Sequence, residues 1–345
     1  MYRIGIVGDG FTAADLLRIL AGHDGVRVTR ILSTENIGRR ISDVYPHLTG
    51  FSDIVCQASD MNNLAGACDA AFLALPHGLS VPIAARLLEM GIKCIDLGAD
   101  FRLEDVAVYE KYYGLDHGDP DLLKTAVYGI PELYREQIKK TSLTANPGCF
   151  PTGAILPLAP LLAAGAVAAD DIIIDAKTGV SGAGKTPAPA SHFCSVNENI
   201  NAYGVGTHRH APEIAQELSR AAGKRVDITF TPHLVPMNRG ILSTIYTRLA
   251  PGMQAAGLRR ILEEKYGGET FVRILPDGVM PHTGWVYGSN MVHINLVADD
   301  RSKRVILLSA LDNLTKGASG QAVQNMNLML GFAEETALNI PPVFP

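Results

Sequence analysis

Y-R-I-G-I-V-G-D-G-F-T-A, from Tyr2 to Ala13, is a short apolar run closed by glycines, and it leads into leucines at helical spacing over Thr12 to Ala21. A second apolar run, Val26 to Leu32, follows. A continuous run, then a 3.6-residue repeat, then another run predicts strand, helix, strand. The alternation continues with a strand over Ala70 to Leu75, a helix over Ser80 to Met90 with Leu87 and Leu88 inward, and strands over Lys93 to Leu97 and Thr141 to Ala145. Repeated crossovers of this kind imply an α/β domain whose parallel sheet is covered on both faces. Beyond Ala145 the pattern changes. Ile172 to Lys177, Asp227 to His233, Gly240 to Arg248, Thr270 to Ile274, Asn290 to Ala298 and Arg304 to Ala310 read as strands with few helices between them. This implies a second, α+β domain on a mixed, largely antiparallel sheet. A last helix, Ala318 to Thr336, with Asn and Gln on one face and apolar residues on the other, is expected to return to the first domain. The expected division is 1–148, 149–316 and 317–345.

Bulk composition narrows the function classes. At 345 residues, 47% hydrophobic and 19% charged, the chain fits two globular domains and no disordered tract. The net charge is −5 with Lys and Arg scattered, so no basic stripe offers itself to nucleic acid or to an anionic membrane. Five cysteines, Cys56, Cys68, Cys94, Cys149 and Cys194, lack metal-type spacing and follow no signal sequence, which points to reduced thiols in a cytoplasm. Gly153 to Ala169 is apolar throughout, but it is shorter than a membrane span and holds Pro157, Pro160 and Gly165, so a buried, kinked helix is expected.

The loop Gly8, Asp9, Gly10, Phe11, Thr12, Ala13 stands between a strand and a helix, the context that the dinucleotide-binding fingerprint of a Rossmann domain requires. Gly8 permits the turn, Gly10 lets a pyrophosphate approach, and amides at the helix start carry partial positive charge toward it. For NAD an acid is expected at the end of the second strand, yet that strand ends Leu32, Ser33, Thr34. Arg39 and Arg40 follow, and a guanidinium beside the Ser33 hydroxyl suits a 2′-phosphate, so NADP is preferred, with Glu35 close by as the competing acid. Pro76, His77 and Gly78 follow the strand ending at Leu75, at the sheet edge where a cofactor lies.

Residues 146 to 152 read N-P-G-C-F-P-T, between a strand and the long apolar helix. Pro151 and Thr152 mark a helix start, because proline loses nothing at the first helical positions. Cys149 is thus placed just before a helix N-terminus, where unfilled amide donors favour a thiolate. The segment T-H-R-H-A-P-E-I, Thr207 to Ile214, supplies two histidines, with Pro212 marking another helix start. Glu213 in its first turn can reach back to His210, fix its tautomer and stabilise its charged form, while His208 faces another side. Two other readings compete. His192, Cys194, His208 and His210 could ligate a metal, although their spacing matches no compact zinc pattern, or both histidines could be helix caps.

These segments together carry a resemblance. The glycine loop, N-P-G-C-F-P-T, H-R-H-A-P-E-I and the tail G-A-S-G-Q-A-V-Q-N-M-N-L-M-L-G from Gly317 resemble the N-acetyl-gamma-glutamyl-phosphate reductases of arginine biosynthesis, in the semialdehyde dehydrogenase superfamily. So do D-L-G-A-D-F-R at 96–102, Y-G-I-P-E at 128–132, T-G-V-S-G-A-G-K at 178–185 and P-H-L-V-P-M-N-R-G at 232–240, and the similarity runs end to end. The resemblance implies NADPH, an N-acetylated gamma-glutamyl phosphate, a cysteine nucleophile at Cys149 assisted by His208 and His210, and a sheet domain with oligomer contacts, hence a homodimer or homotetramer. Members generally carry a glycine loop one residue longer, and many have arginine where this chain has Thr34, which shifts the 2′-phosphate argument onto Arg39.

The expected chemistry is attack of the Cys149 thiolate on an acyl phosphate, loss of phosphate to a thioester, and reduction to a semialdehyde, with His210, or His208, moving the proton. Ser181, Gly182 and Gly184 form a loop able to approach the nicotinamide, and Asn290, Gln321 and Asn325 are amides that suit its carboxamide. Arg102 and Arg239 are candidates for the substrate's carboxylate or phosphate, or for structural ion pairs. No metal is expected. The alternatives are a relative acting on aspartyl, glyceraldehyde or carrier-bound aminoadipyl phosphate, and a nucleotide-binding redox sensor without turnover.

Overall fold

The structure, a computed structural model, describes residues 1–344. The chain forms two compact units, Met1–Pro147 with Ala318–Ile340, and Gly148–Gly317 with the last residues from Pro341.

The first unit is built on a seven-stranded sheet, all of whose ladders are parallel: β1 (Tyr2–Val7), β2 (Val26–Ser33), β3 (Gln57–Ala58), β4 (Ala70–Leu73), β5 (Lys93–Asp96), β6 (Val127–Tyr128) and β7 (Leu143–Ala145), in the order β3-β2-β1-β4-β5-β7-β6. Strands buried on both faces read as unbroken apolar runs, and Ile4, Ile6, Val7, Phe72, Leu73 and Ile95 are all in the core. Crossover helices Phe11–Leu20 and Ser80–Glu89 follow β1 and β4. Leu87 is buried as expected, while Leu88 is only half-buried. Since β2 lies on one side of β1 and β4 on the other, the strand order reverses beside β1, and a crevice for a ligand opens at the carboxyl ends there. Two helices, Val106–Tyr113 and Pro131–Ile138, and the two-residue strands β3 and β6 were not read from sequence, being short elements of eight residues and of two.

The last helix differs from its expected form. It spans Gly320–Leu330, after a π-helical turn at Thr315–Ser319, and stops where Gly331 takes a left-handed φ of 79°. It is also buried all round rather than on one face, and the amides of Gln324, Asn325 and Asn327 find partners inside the protein. Gln324 donates to Glu132 and Glu334, Asn325 to Gly129 O and Asn146 Oδ1, and Asn327 to Glu334 O and Thr336 O. Asn327 Oδ1 also pairs with His23 Nε2, and the Ser319 hydroxyl donates to Asp15 of the helix Phe11–Leu20.

The second unit has its own seven-stranded sheet: β8 (Ile172–Thr178), β9 (Asn201–Ala202), β10 (Ile228–Leu234), β11 (Ile241–Arg248), β12 (Val272–Ile274), β13 (Val292–Ala298) and β14 (Arg304–Leu311), in the order β12-β13-β14-β11-β8-β10-β9. Only β8 with β10 and β12 with β13 pair in parallel. Helix Cys149–Ala163 packs on β11, β14 and helix His210–Ala222, and helix Ala255–Tyr266 packs beside it. These helices cover one face, and the strands alternate accordingly: Ile241, Ser243, Ile245 and Thr247 of β11 are buried, whereas Leu242, Thr244 and Tyr246 are half-exposed. Register carries the second face across the sheet, with Tyr246 between Ile173 and Ile306 and Thr244 between Asp175 and Leu308. Among the described residues no helix is long and apolar enough to cross a membrane. Helix Cys149–Ala163 is instead buried from Phe150 to Leu162, with Pro157 and Pro160 inside it.

Candidate active site

Cys149 is the first residue of its helix rather than the residue before it, with Gly148 as the N-cap in an extended conformation. The first amide bonded within the helix is that of Thr152, which donates to Gly148 O at 3.1 Å. The amides of Cys149 and Phe150 come before it and have no carbonyl behind them in the helix, while Pro151 has no N–H at all. The helix N-terminus therefore concentrates donors and partial positive charge at the sulfur, which is half-buried.

Three contacts fix this turn. The Gly148 amide donates to Glu213 Oε1 at 2.8 Å, and Glu213, only 1% exposed, comes from the first turn of helix His210–Ala222. A methyl group on Gly148 would lie 2.6 Å from His210 Nε2, so only glycine lets the imidazole lie against the backbone beside Cys149. A methyl group on Gly317 would lie 2.7 Å from Cys149 Cβ, so a second glycine admits the cysteine from the other side.

Of the two histidines, His208 has a state fixed by its surroundings. His208 Nδ1 accepts from the backbone N–H of His210 at 3.1 Å, which leaves the ring proton on Nε2. The His208 ring packs against Phe150, Phe230, Tyr203 and His210 at centroid distances of 4.9 to 5.6 Å. Burial, with the charge of Arg209 second, pushes its pKa down to about 4. His208 is thus a neutral N–H donor at physiological pH. Tyr203 has its pKa raised, first by burial and then by the charge of Cys149. Among the described residues no group of three or more His, Cys, Asp or Glu side chains is gathered as metal ligands.

In the first unit the glycine loop leaves β1 at the crevice. Gly8 has φ of 110°, and a methyl group there would collide with the carbonyl oxygen of Ala74, at the exit of β4. Gly10 differs: it is the N-cap of helix Phe11–Leu20, no side chain caps that helix, and a methyl group on it would meet nothing within 4 Å. Open space in front of uncapped amides is what a pyrophosphate needs. Beyond β4, Pro76, His77 and Gly78 form a loop pinned by Asp100, whose carboxylate accepts from the amides of Gly78 (2.7 Å) and Ser80 (2.8 Å). Asp96, wholly buried, accepts from Ser80 Oγ and the Gly98 amide, and burial, with the charge of Asp100 second, raises its pKa to about 7. Gln321 is fully buried with neither amide atom hydrogen-bonded within the protein. Such a group is stable only if something else satisfies it.

The family model of the semialdehyde dehydrogenase NAD binding domain matches residues 3–141, and that of the semialdehyde dehydrogenase dimerisation domain matches residues 149–313. The N-acetyl-gamma-glutamyl-phosphate reductase of Moorella thermoacetica is 52% identical over 346 residues, covering 100% of both chains. That of a Geobacter species is 51% identical over 347 residues with the same coverage. The chain belongs to the N-acetyl-gamma-glutamyl-phosphate reductase family. Among solved structures, the aspartate semialdehyde dehydrogenase II of Vibrio cholerae superposes with a TM-score of 0.73 at 17% identity, covering 96% of this chain and 98% of that one. The Candida albicans aspartate semialdehyde dehydrogenase superposes at 0.70 and 15%, covering 96% and 98%. At such identities the likeness establishes the shared fold of the reductase and those enzymes.

Within the reductase frame, Cys149, His208, His210 and Glu213 converge around one helix start. Other residues singled out by sequence are engaged elsewhere. Arg102 is buried, with Nε on Asn146 O and Nη2 on Leu97 O. Arg239 pairs with buried Asp312 at 3.0 Å and donates to Thr315 Oγ1. Ser181 donates to Asn238 O and accepts from Asn313 Nδ2, Gly182 lies near that amide, and Gly184 is exposed with φ of 82°. Asn290 is buried ahead of β13, and Asn325 holds Gly129 to Asn146. Phe11, Thr12 and Ala13 open the first helix. Arg39 is exposed, with Nη1 on Asn36 Oδ1 at 3.0 Å. Sequence reading did not single out Tyr203, Gly148 or Gly317. For the glycines the surrounding motifs were visible, but the packing that requires glycine was not.

Proposed function

We propose that this chain reduces N-acetyl-gamma-glutamyl phosphate to N-acetylglutamate semialdehyde and phosphate through a thioester on Cys149, a step of arginine biosynthesis. What carries the reading is the helix start at Cys149 locked by Glu213 and His210, in a chain half-identical end to end to reductases of that name. The Cys149 thiolate adds to the acyl carbon, the helix-start amides hold the oxyanion, and the bond to phosphate breaks to leave the thioester. A bound reduced nicotinamide supplies the hydride that takes the acyl group to the oxidation level of an aldehyde. His210 receives the thiol proton and returns it where the carbon–sulfur bond breaks, Glu213 positions that turn, and neutral His208 donates its Nε2–H toward the substrate.

The nucleotide's phosphates fit at Gly10 and the uncapped helix Phe11–Leu20, and its carboxamide suits Gln321, whose amide lacks a protein partner. NADPH is the donor that the family resemblance implies, and exposed Arg39 beside the end of β2 supports it. The match to a dimerisation domain and the uncovered sheet face, where Ile173 and Val297 are 40% and 48% exposed, support a homodimer through that face. No disulfide joins any two of the five cysteines, in keeping with a cytoplasmic enzyme.

The deciding experiment is phosphate-dependent oxidation of N-acetylglutamate semialdehyde by wild type and Cys149→Ser. Loss of about three or more orders of magnitude with nucleotide binding intact is expected. Unchanged turnover refutes the thioester, and activity on the aspartate analogue alone refutes the substrate.

A further inference from the structure

The glycine loop places an acid, Asp9, between Gly8 and Gly10. Asp9 is 7% exposed. Its Oδ2 accepts from Ser33 Oγ at 2.6 Å and from Asn36 Nδ2 at 2.6 Å, so the carboxylate stands at the carboxyl end of β2. Dinucleotide folds that take NAD put an acid there to accept hydrogen bonds from the adenosine ribose hydroxyls. Sequence order hid this, because β2 itself ends Leu32, Ser33 and the acid arrives from the loop after β1. The Tyr45 hydroxyl holds the loop in place by donating to Asp9 O at 2.8 Å.

The same bonds change what Ser33 can offer. Its hydroxyl proton goes to Asp9, and its oxygen accepts from the amides of Glu35 (3.1 Å) and Asn36 (2.9 Å), so the serine has no donor left for a phosphate. Arg39 then faces a 2′-phosphate without that serine and with a carboxylate nearby. Like charges brought together disfavour binding, and discrimination between two ligands is often set by such a repulsive element.

We propose that Asp9 determines nucleotide choice in this chain: it accepts from the ribose hydroxyls and opposes a 2′-phosphate, so that NADH binds about as well as NADPH. The proposal rests on the assignment of this crevice to a nicotinamide dinucleotide, and not on the chemistry at Cys149. The test is therefore a binding measurement on the full chain, by calorimetry or by nicotinamide fluorescence. Wild type should bind NADH and NADPH with Kd values within about threefold of each other, and a preference for NADPH above about tenfold would overturn the proposal. Asp9→Asn keeps the shape and removes the charge, and should tighten NADPH relative to NADH by about tenfold. A ratio that stays within about twofold of wild type would make Asp9 a structural tie only, and would also overturn it. Because the wild-type ratio is decisive by itself, the proposal stays testable even if the variant folds poorly. A chain that reduces no acyl phosphate yet binds both nucleotides alike would refute the proposed activity and leave this inference standing.

Discussion

Glu213 shows how much a single side chain carries. A carboxylate that is 1% exposed is costly unless its charge is met, and it is met by the amide of Gly148 and by the N-terminal fields of two helices, its own and that of Cys149. Glu213→Gln preserves the volume and one acceptor but removes the charge of the carboxylate that holds the Gly148 amide beside Cys149. We expect kcat to fall by about 10- to 100-fold with nucleotide affinity unchanged, measured by steady-state kinetics beside a binding titration. An unaltered kcat would reduce Glu213 to a packing group. At this scale the sequence was legible where chemistry and punctuation coincide: Cys149 and Pro151, or His210, Pro212 and Glu213. It was silent on Tyr203 and on the reach of Asp9, because each meets its neighbours only through tertiary packing.

At the scale of elements, the two glycines of the nucleotide loop look alike in sequence and differ in physics. Gly8 holds φ of 110° with the Ala74 carbonyl where a side chain would be, so the backbone itself blocks any other residue. Gly10 has φ of −78° and open space in front of it. Gly8→Ala should therefore destabilise the fold by about 2–4 kcal/mol in denaturant unfolding. Gly10→Ala should fold normally and weaken nucleotide binding instead, and the reverse pattern would show that the loop's roles are exchanged. Long strands and the helices beside them were read nearly to the residue, since burial on one or both faces writes a period into the sequence. The final helix was read too long and too amphipathic, because Gly331 ends it early and its Asn and Gln residues are buried by hydrogen bonds that no periodicity reports.

For the whole molecule, two buried groups, Asp96 and His208, pull acid stability in opposite directions. Asp96 has a folded pKa raised to about 7, so its contribution is complete below its unfolded value of 3.8 and is lost as pH rises through about 7. His208 has a folded pKa lowered to about 4, so its contribution is complete above 6.5 and is lost as pH falls through about 4. The two slopes oppose each other over the same interval. Asp96→Asn removes one of them, and its melting temperature relative to wild type should climb between pH 4 and pH 7, by roughly 2–4 °C for each kcal/mol. A constant difference across that range would mean that Asp96 ionises normally. The fold class and the order of the two units were plain from the alternation of runs and repeats, and the last helix was expected in the first unit, but what holds it there is written in hydrogen bonds rather than in periodicity. That segment sets a timetable for synthesis. On the ribosome, Asp15, His23, Glu132 and Asn146 emerge long before Ser319, Asn327, Gln324 and Asn325, their partners. The nascent nucleotide-binding unit must therefore wait, its last seam open, while the second unit is translated.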